Sequence, residues 1–437
     1  MGEKKTDIDI IYGVEDRPGL SKAIPLAFQH ILAMFAGNIT VPLLVSGLLG
    51  LSASETTFLI QCALFMAGIA TFMQIAKYKG IGSGLPIVMG TSNAFISTVL
   101  AIAKDFGIEG VLGASFIGGL FEILLGKNHS KLKKIFTPLV SGIVVLTIGI
   151  TLIPVGIKQA AGGGSNMGDL KSLLIATIVL ITIIILNQNK NKFLRSSSIL
   201  LGIIVGYIVS FFFNMLDATP VLEASWFSLP KPFVYKWTFH PTAIIAMLFM
   251  YVATAIETIG DISAITIGAE GREATDKEMS GGVIADGLGS SVAAIFNAFP
   301  NTSYTQNIGV ISLTGVFSRH VVKIGAIILI ILSLFPKFGS LIAIIPEPVL
   351  GGAAIAMFSI IAVSGLSLLR KIKLNSRNTL IIAVAVGLGV GLSIVPEATQ
   401  NLPRELQLFL TSGVGPSAMV SIILDLLLPD EEQKMNP

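Results

Sequence analysis

Long apolar runs alternate with short polar segments along almost the whole chain. About 20 mostly apolar residues are enough for a helix to cross the hydrocarbon core of a bilayer. Clear runs lie at 23–49, 56–76, 108–126, 135–157, 172–187, 197–216, 241–268, 321–336, 338–362, 378–396 and 405–428. Three weaker segments, which are short or rich in Gly, Pro and polar residues, lie at 86–103, 280–298 and 303–318. Together they predict fourteen transmembrane crossings.

The composition supports this prediction. The chain has 437 residues, of which 53% are apolar and only 13% charged, and its mean hydropathy is +0.82. Soluble domains carry about 25% charged residues. A soluble enzyme and a nucleic-acid-binding protein are therefore excluded. The single cysteine, Cys62, excludes an internal disulfide and hence a secreted disulfide scaffold.

The distribution of basic residues predicts the orientation. With fourteen spans and a cytoplasmic N-terminus, the cytoplasmic segments hold 22 of the 29 Lys and Arg residues and the extracellular segments hold 7. This is the asymmetry that the positive-inside rule describes. Both termini are therefore expected in the cytoplasm, and the polar residues 1–22 do not resemble a signal peptide.

An internal repeat relates the two halves of the chain. Residues 85–93 resemble residues 299–307 at an offset of 214, and residues 137–142 resemble 347–352 at an offset of 210. The residues matched at the first offset are Pro86 with Pro300, Thr91 with Thr305, and Asn93 with Asn307. Since each half has seven spans, the second half enters the membrane from the opposite side. Inverted repeats of this kind are typical of secondary transporters.

The matched weak segments, in spans 3 and 10, predict broken helices. Irregular backbone at membrane depth is tolerated only where protein or a water-filled cavity covers it. We expect a short extended stretch in each span, followed by a half-helix that begins near Asn93 or Asn307. The two N-termini would meet near the midplane and offer N–H groups to a ligand rich in carbonyl oxygens.

The predicted fold is therefore an all-α polytopic membrane protein built from two inverted seven-helix repeats. Its segments would be a cytoplasmic N-terminal stretch (1–22), a first repeat (23–216), an extracellular linker (217–240), a second repeat (241–428) and a cytoplasmic tail (429–437).

Three acidic residues lie within or beside predicted spans. Glu257 is well inside the run 241–268, and Asp261 follows one helical turn later. Asp286 lies among small residues at 281–287. A carboxylate at the centre of the bilayer costs about 3 kcal/mol, so these groups are expected to face the protein interior and are candidates to carry a proton. A purely structural role is the alternative for each of them.

Other candidate chemistry is sparse. His30 lies near one end of the first span, where a lone histidine more often links helices by hydrogen bonds than binds a ligand. No group of Cys, His and acidic residues has metal-ligand spacing, so no metal site is predicted. The sequence lacks a Walker loop, which argues against ATP-driven transport.

The segment from Gln306 to Gly315 resembles the signature of the nucleobase–cation symporter-2 (nucleobase–ascorbate transporter) family. That signature is Gln/Glu-Asn-x-Gly followed five residues later by Thr. The motifs expected around it occur in order, and the resemblance covers residues 20–428. These motifs are Gln29-His30, Glu257 with Gly260-Asp261, Ala285-Asp286-Gly287 and Ser318-Arg319.

The resemblance implies a transporter, not an enzyme. The family has a core domain (spans 1–4 and 8–11) and a gate domain (spans 5–7 and 12–14), and its members often work as dimers, so a homodimer is an expectation here. Members carry nucleobases, or ascorbate in some animals, across the plasma membrane by alternating access. Bacterial members usually use protons, which are favoured over sodium as the coupling ion. No other cofactor is implied.

The resemblance also assigns roles to residues. Glu257 would accept N–H donors from the base, Gln306 would hydrogen-bond the base through its amide, and Phe95 would stack on or edge its ring. Ala94, Tyr304 and Asn307 would complete or support the pocket. The expected supporting residues are His30, Asn93, Asp261 and Asp286, and Asp286 is the one expected to be coupled to protonation.

The resemblance also bears on which base is carried. Gln306, together with the stretch 296–300, resembles the xanthine and urate branch, whereas uracil carriers have Glu at the first signature position. Gly315 and Ala94 depart from that branch and would loosen purine selectivity. Xanthine is expected to be the preferred base, with urate next.

The alternative functions are a uracil/proton symporter and an anion transporter of the sulfate/bicarbonate type. A channel or a membrane enzyme is disfavoured because neither a continuous polar lining nor a reactive constellation is present.

Overall fold

A computed structural model describes residues 10–128, 137–163, 167–191, 194–195, 197–370 and 372–429. Residues 1–9 of the predicted N-terminal stretch and 430–437 of the predicted tail lie outside them. The helices of the described residues are α1 Leu20–Leu49, α2 Ala53–Ile75, α3 Ile96–Lys127, α4 Pro138–Ala160, α5 Leu170–Asn187, α6 Ser198–Phe212, α7 Thr219–Glu223, α8 Pro241–Glu270, α9 Asp276–Ile295, α10 Thr305–Thr314, α11 Arg319–Ser333, α12 Pro336–Ala343, α13 Glu347–Leu369, α14 Ser376–Ile394, α15 Arg404–Thr411 and α16 Val414–Leu427. Two strands, β1 Met89–Thr91 and β2 Asn301–Ser303, and two 3-10 turns, Asn93–Phe95 and Pro396–Thr399, complete the fold.

The predicted all-α membrane architecture is confirmed. Among the described residues, eight helices are long and apolar enough to cross a bilayer. Helices α11 and α12 pass the same test together but are bent by 85°. The count of fourteen spans therefore stays a prediction.

Glycine sets one of the breaks between predicted spans. Helix α3 runs through Gly107, whose φ of 69° and ψ of −175° are not helical. Only glycine adopts this conformation readily, because it has no Cβ. The break lies where the hydrophobic pattern separated span 3 from span 4, so α3 contains both.

Two predicted spans are divided in the structure. The run 338–362 begins in α12 and continues in α13, with the break before Pro346 and Pro348. Proline lacks an N–H donor and ends or begins helices for that reason. The run 405–428 is divided into α15 and α16 at Gly413, whose φ is 75°. Hydropathy did not show these breaks, because the residues around them are apolar.

The two predicted extended stretches pair with each other. Strands β1 and β2 are antiparallel, with Met89 opposite Ser303 and Thr91 opposite Asn301. The ribbon continues beyond the strands at both ends: Ser92 N–H donates to the Pro300 carbonyl at 2.8 Å, and Tyr304 N–H donates to the Val88 carbonyl at 3.0 Å. This pairing satisfies backbone groups that lipid could not satisfy.

The helices pack in two groups. Helices α1–α3 pack mainly with α8–α11, and α4–α6 pack mainly with α13–α16. The first group, which we call the ribbon group, contains the β1–β2 ribbon and both half-helices. The second group, which we call the flanking group, is centred on the contact between α4 and α13.

Candidate functional site

Both half-helices begin at one small cavity between the two helix groups. In the first half, a 3-10 turn at Asn93–Phe95 leads into α3; in the second, α10 begins at Thr305. The residues that line the cavity are Asn93, Ala94, Ile148, Glu257, Thr302, Ser303, Tyr304, Gln306 and Ile361. The structure thus brings together five residues that the sequence singled out, namely Asn93, Ala94, Glu257, Tyr304 and Gln306.

Glu257 supplies an unused acceptor to this cavity. Its Oε2 is buried and has no hydrogen-bonding partner among the described residues. A buried polar atom without a partner costs free energy, roughly 1–3 kcal/mol or more for a charged group. A ligand with an N–H donor would remove that cost.

Gln306 lies in the first turn of α10, where helix N–H groups have no partners within the helix. The residue before this helix, Tyr304, makes no side-chain capping hydrogen bond. The side chain of Gln306 lines the cavity together with Glu257. An amide, a carboxylate and a positive helix end therefore meet at one place, which suits a polar ligand with both donors and acceptors.

The ring of Tyr304 is held by the ribbon and by α1. Its hydroxyl donates to the Thr91 carbonyl at 2.7 Å. The Thr91 N–H in turn donates to Oδ1 of Asn38 on α1 at 2.8 Å. A Cβ added to Gly37 would lie 2.8 Å from the ring of Tyr304. This glycine therefore lets the ring approach α1 closely.

Asp261 anchors the start of α10 to α8. Its Oδ2 accepts from the Ser303 hydroxyl at 2.6 Å, and its Oδ1 accepts from the Thr305 hydroxyl at 2.9 Å. Asp286, on α9, accepts a short hydrogen bond from the Thr258 hydroxyl. Both acidic residues are buried and lie behind the cavity rather than in its lining.

His30 and Asn307 join α1 to α10. The Nδ2 of Asn307 donates to the His30 carbonyl at 3.0 Å and lies 3.1 Å from His30 Nδ1. This is the helix-linking geometry that the sequence analysis favoured for His30. Asn307 does not line the cavity, so its contacts fit a supporting role.

Phe95, which the resemblance implies would stack on or edge the base, packs inside the protein. Its ring is fully buried and packs edge-on against Tyr251, with ring centroids 4.8 Å apart. It does not line the cavity, although its neighbour Ala94 does. The aromatic ring that borders the cavity in this structure is that of Tyr304.

Several residues were missed by the sequence analysis. Ile148 on α4 and Ile361 on α13 bring the flanking group to the cavity, but nothing in the sequence separates them from other apolar span residues. Glu122 is fully buried on α3. The sequence does single out Glu122, because it is an acidic residue within the apolar run 108–126.

Solved structures define the class of fold. The transmembrane domain of the cyanobacterial bicarbonate transporter BicA matches with a TM-score of 0.57 at 16% identity, covering 93% of this chain and 98% of that one. The murine SLC26A9 anion transporter matches with a TM-score of 0.59 at 12% identity, covering 92% and 68%. This chain therefore shares its overall fold with these two membrane proteins.

Sequence comparison then defines the family. A family model described as "Permease family" matches residues 21–398. The xanthine permease XanP of Escherichia coli (strain K12) is 37% identical over 443 residues, covering 97% of this chain and 96% of that protein. The xanthine permease of Bacillus subtilis (strain 168) is 36% identical, covering 94% of both chains, and the nucleobase transporter PlUacP of Paenibacillus larvae is 37% identical, covering 95% and 96%. The chain belongs to this permease family, the nucleobase–cation symporter-2 family, and is a multi-pass membrane transporter rather than an enzyme.

Proposed function

We propose that this protein takes up an oxopurine, xanthine or urate, together with a proton across the plasma membrane. The observation that carries the proposal is the cavity where the Glu257 carboxylate, whose Oε2 has no partner among the described residues, meets Gln306 at the start of a half-helix. The similarity to named xanthine permeases over nearly the whole chain supports the same substrate class.

The chemistry of an oxopurine fits these groups. Its edge presents N–H donors beside carbonyl acceptors. Glu257 would accept from the donors, while the amide of Gln306 can both donate and accept. The ring of Tyr304 would contact the planar base, and Ile148 and Ile361 would cover its apolar surface.

The two helix groups suggest how the site changes sides. The ribbon group carries Glu257, Gln306 and Tyr304, whereas the flanking group contributes only two isoleucines to the cavity. We assign the ribbon group as the core domain and the flanking group as the gate domain. Movement of the core against the gate would then expose the base to either side. Cytoplasmic termini, an extracellular linker at 217–240 and a homodimer complete the proposal.

Replacement of Glu257 tests the site. The variant Glu257→Gln keeps the shape of the side chain but removes the charged acceptor, so we expect uptake of labelled xanthine to be lost while the protein still inserts into the membrane. The host should lack its own purine carriers. Glu273→Gln, in the exposed loop after α8, is the matched control and should transport normally. Normal uptake by Glu257→Gln would disprove the site.

Competition identifies the substrate class. Unlabelled urate should compete with labelled xanthine, whereas uracil should not. Competition by uracil alone would instead identify the uracil branch of the family.

The coupling ion is tested in energised cells. A protonophore should abolish uptake, because it removes the proton gradient, and replacement of sodium should leave uptake unchanged. Loss of uptake on sodium removal would contradict proton coupling.

A further inference from the structure

Glu122 is a buried acid that the proposed site does not use. It is fully buried on α3, where Oε1 accepts from the Thr254 hydroxyl at 3.1 Å. Its Oε2 is also buried and has no partner among the described residues. None of the ion pairs seen in the described part of the chain includes it. A carboxyl without a cation in a protein interior needs another form of charge compensation.

Asp286 is in the same situation on the facing helix, α9. Its Oδ2 accepts from Thr258, and its Oδ1 is buried without a partner among the described residues. Thr254 and Thr258 are one turn apart on α8, so one helix holds both carboxyls along one face. A Cβ added to Gly287, next to Asp286, would lie 3.0 Å from the Cβ of Glu122. The two acids are therefore neighbours across the α3–α9 contact.

Two such carboxyls cannot both be charged at low cost. Desolvation and mutual repulsion oppose double ionisation when no cation is near. Among the described residues, the other titratable groups that face the pair are Tyr251, Glu257 and Asp261, all on α8. None is basic, so a bound proton is the compensation available to this pair.

A chain of hydroxyl groups connects the pair to the cavity. The Thr258 hydroxyl, which donates to Asp286, lies 3.1 Å from the Ser303 hydroxyl. Ser303 lines the cavity and donates to Asp261 at 2.6 Å. A change in the charge of the pair can therefore act on the strand that borders the substrate.

We propose that Glu122 and Asp286 together hold the transported proton and that Glu122 is a coupling residue. The pair would bind one proton from the outside, passing from one net negative charge to neutral, and release that proton to the cytoplasm after the core has moved. The inference rests on the proposed function, because it presupposes that uptake is driven by protons.

The test uses the purified full chain in liposomes with an imposed pH gradient, alkaline inside, and labelled xanthine. One pH unit can drive at most about tenfold accumulation of a neutral base per proton. Wild-type protein should accumulate xanthine towards that limit. Glu122→Gln keeps an acceptor for Thr254 but cannot titrate, so accumulation should fall to equal concentrations inside and outside.

Xanthine exchange measured without a pH gradient distinguishes a loss of proton coupling from a loss of folding. Exchange of labelled for unlabelled xanthine should continue in Glu122→Gln but lose its dependence on pH. Glu273→Gln, the exposed control, should accumulate xanthine as wild type does. Accumulation and a pH profile of wild-type shape in Glu122→Gln would overturn the proposal.

If the Glu122→Gln protein does not exchange xanthine at all, a second variant tests the proposal. Thr254→Val removes the hydroxyl that donates to Glu122 but keeps the carboxyl, so the pH of half-maximal exchange should shift. An unchanged pH profile in Thr254→Val would overturn the proposal. Wild-type protein that ignores the pH gradient would instead refute the proton coupling on which the inference rests.

Discussion

The contact between α3 and α9 depends on a glycine that can be tested directly. A Cβ added to Gly119 would lie 2.5 Å from the backbone carbonyl oxygen of Gly287 and 2.8 Å from the backbone nitrogen of Ser291. Ordinary contacts of a Cβ begin at 3.4 Å. The Ser291 hydroxyl is also close, but because these two obstacles are backbone atoms, no side-chain rotation can relieve the overlap. In Gly119→Ala the two helices must move apart by roughly 1 Å, which forfeits part of their packing.

The size of the effect follows from two opposing contributions. Overpacking of a close contact typically costs about 1–3 kcal/mol. The exchange of glycine for alanine inside a helix gains about 1 kcal/mol through helix propensity. A Cβ added to Gly387, on α14, would meet no described atom within 4 Å. Gly387→Ala should therefore gain helix propensity without the cost of overpacking. The two variants should therefore differ in free energy of unfolding by about 1–3 kcal/mol.

The assay is unfolding of the purified variants in detergent, by heat or by a titration with sodium dodecyl sulfate. Gly119→Ala should unfold before Gly387→Ala, and its xanthine uptake should be lower because this contact also places Glu122 beside Asp286. Equal stability of the two variants would refute the close contact between α3 and α9.

Two further variants probe the support of the cavity. Tyr304→Phe loses the hydroxyl that donates to the Thr91 carbonyl, a hydrogen bond worth about 1 kcal/mol. The apparent affinity for xanthine, measured by uptake kinetics, should therefore fall roughly fivefold. An unchanged affinity would show that the ring is held by packing alone. Asn307→Leu removes the side-chain hydrogen bond to the His30 carbonyl, which is worth about 1 kcal/mol. Thermal unfolding in detergent should therefore occur at a lower temperature, and wild-type stability would contradict the link between α1 and α10.

Local sequence was sufficient for much of the fold. The positions of the long helices follow from runs of apolar residues, because each span meets the bilayer requirement by itself. The extended stretches before Asn93 and Thr305 were also foreseeable, since Pro, Ser, Thr and Asn at membrane depth need covered backbone. The second half-helix begins at Thr305, two residues before the predicted start at Asn307.

Several residues named by the family resemblance lie at or beside one cavity, but their surroundings differ. Glu257 and Gln306 line one cavity, as the resemblance suggested they would. The same resemblance also named Phe95 and Asn307, yet Phe95 packs against Tyr251 and Asn307 links α10 to α1. Sequence position cannot separate these roles, because a helix can present neighbouring residues to different surroundings.

Hydropathy and the need to satisfy backbone groups act within one segment, so the order of residues already indicates a membrane protein and the place of its broken helices. Which distant segments meet depends on tertiary packing. It brought Ile148 and Ile361 to the cavity, and it placed Glu122 beside Asp286 through a glycine contact. The physical reason is that packing between helices fixes their rotation and separation, and those quantities depend on both partners at once.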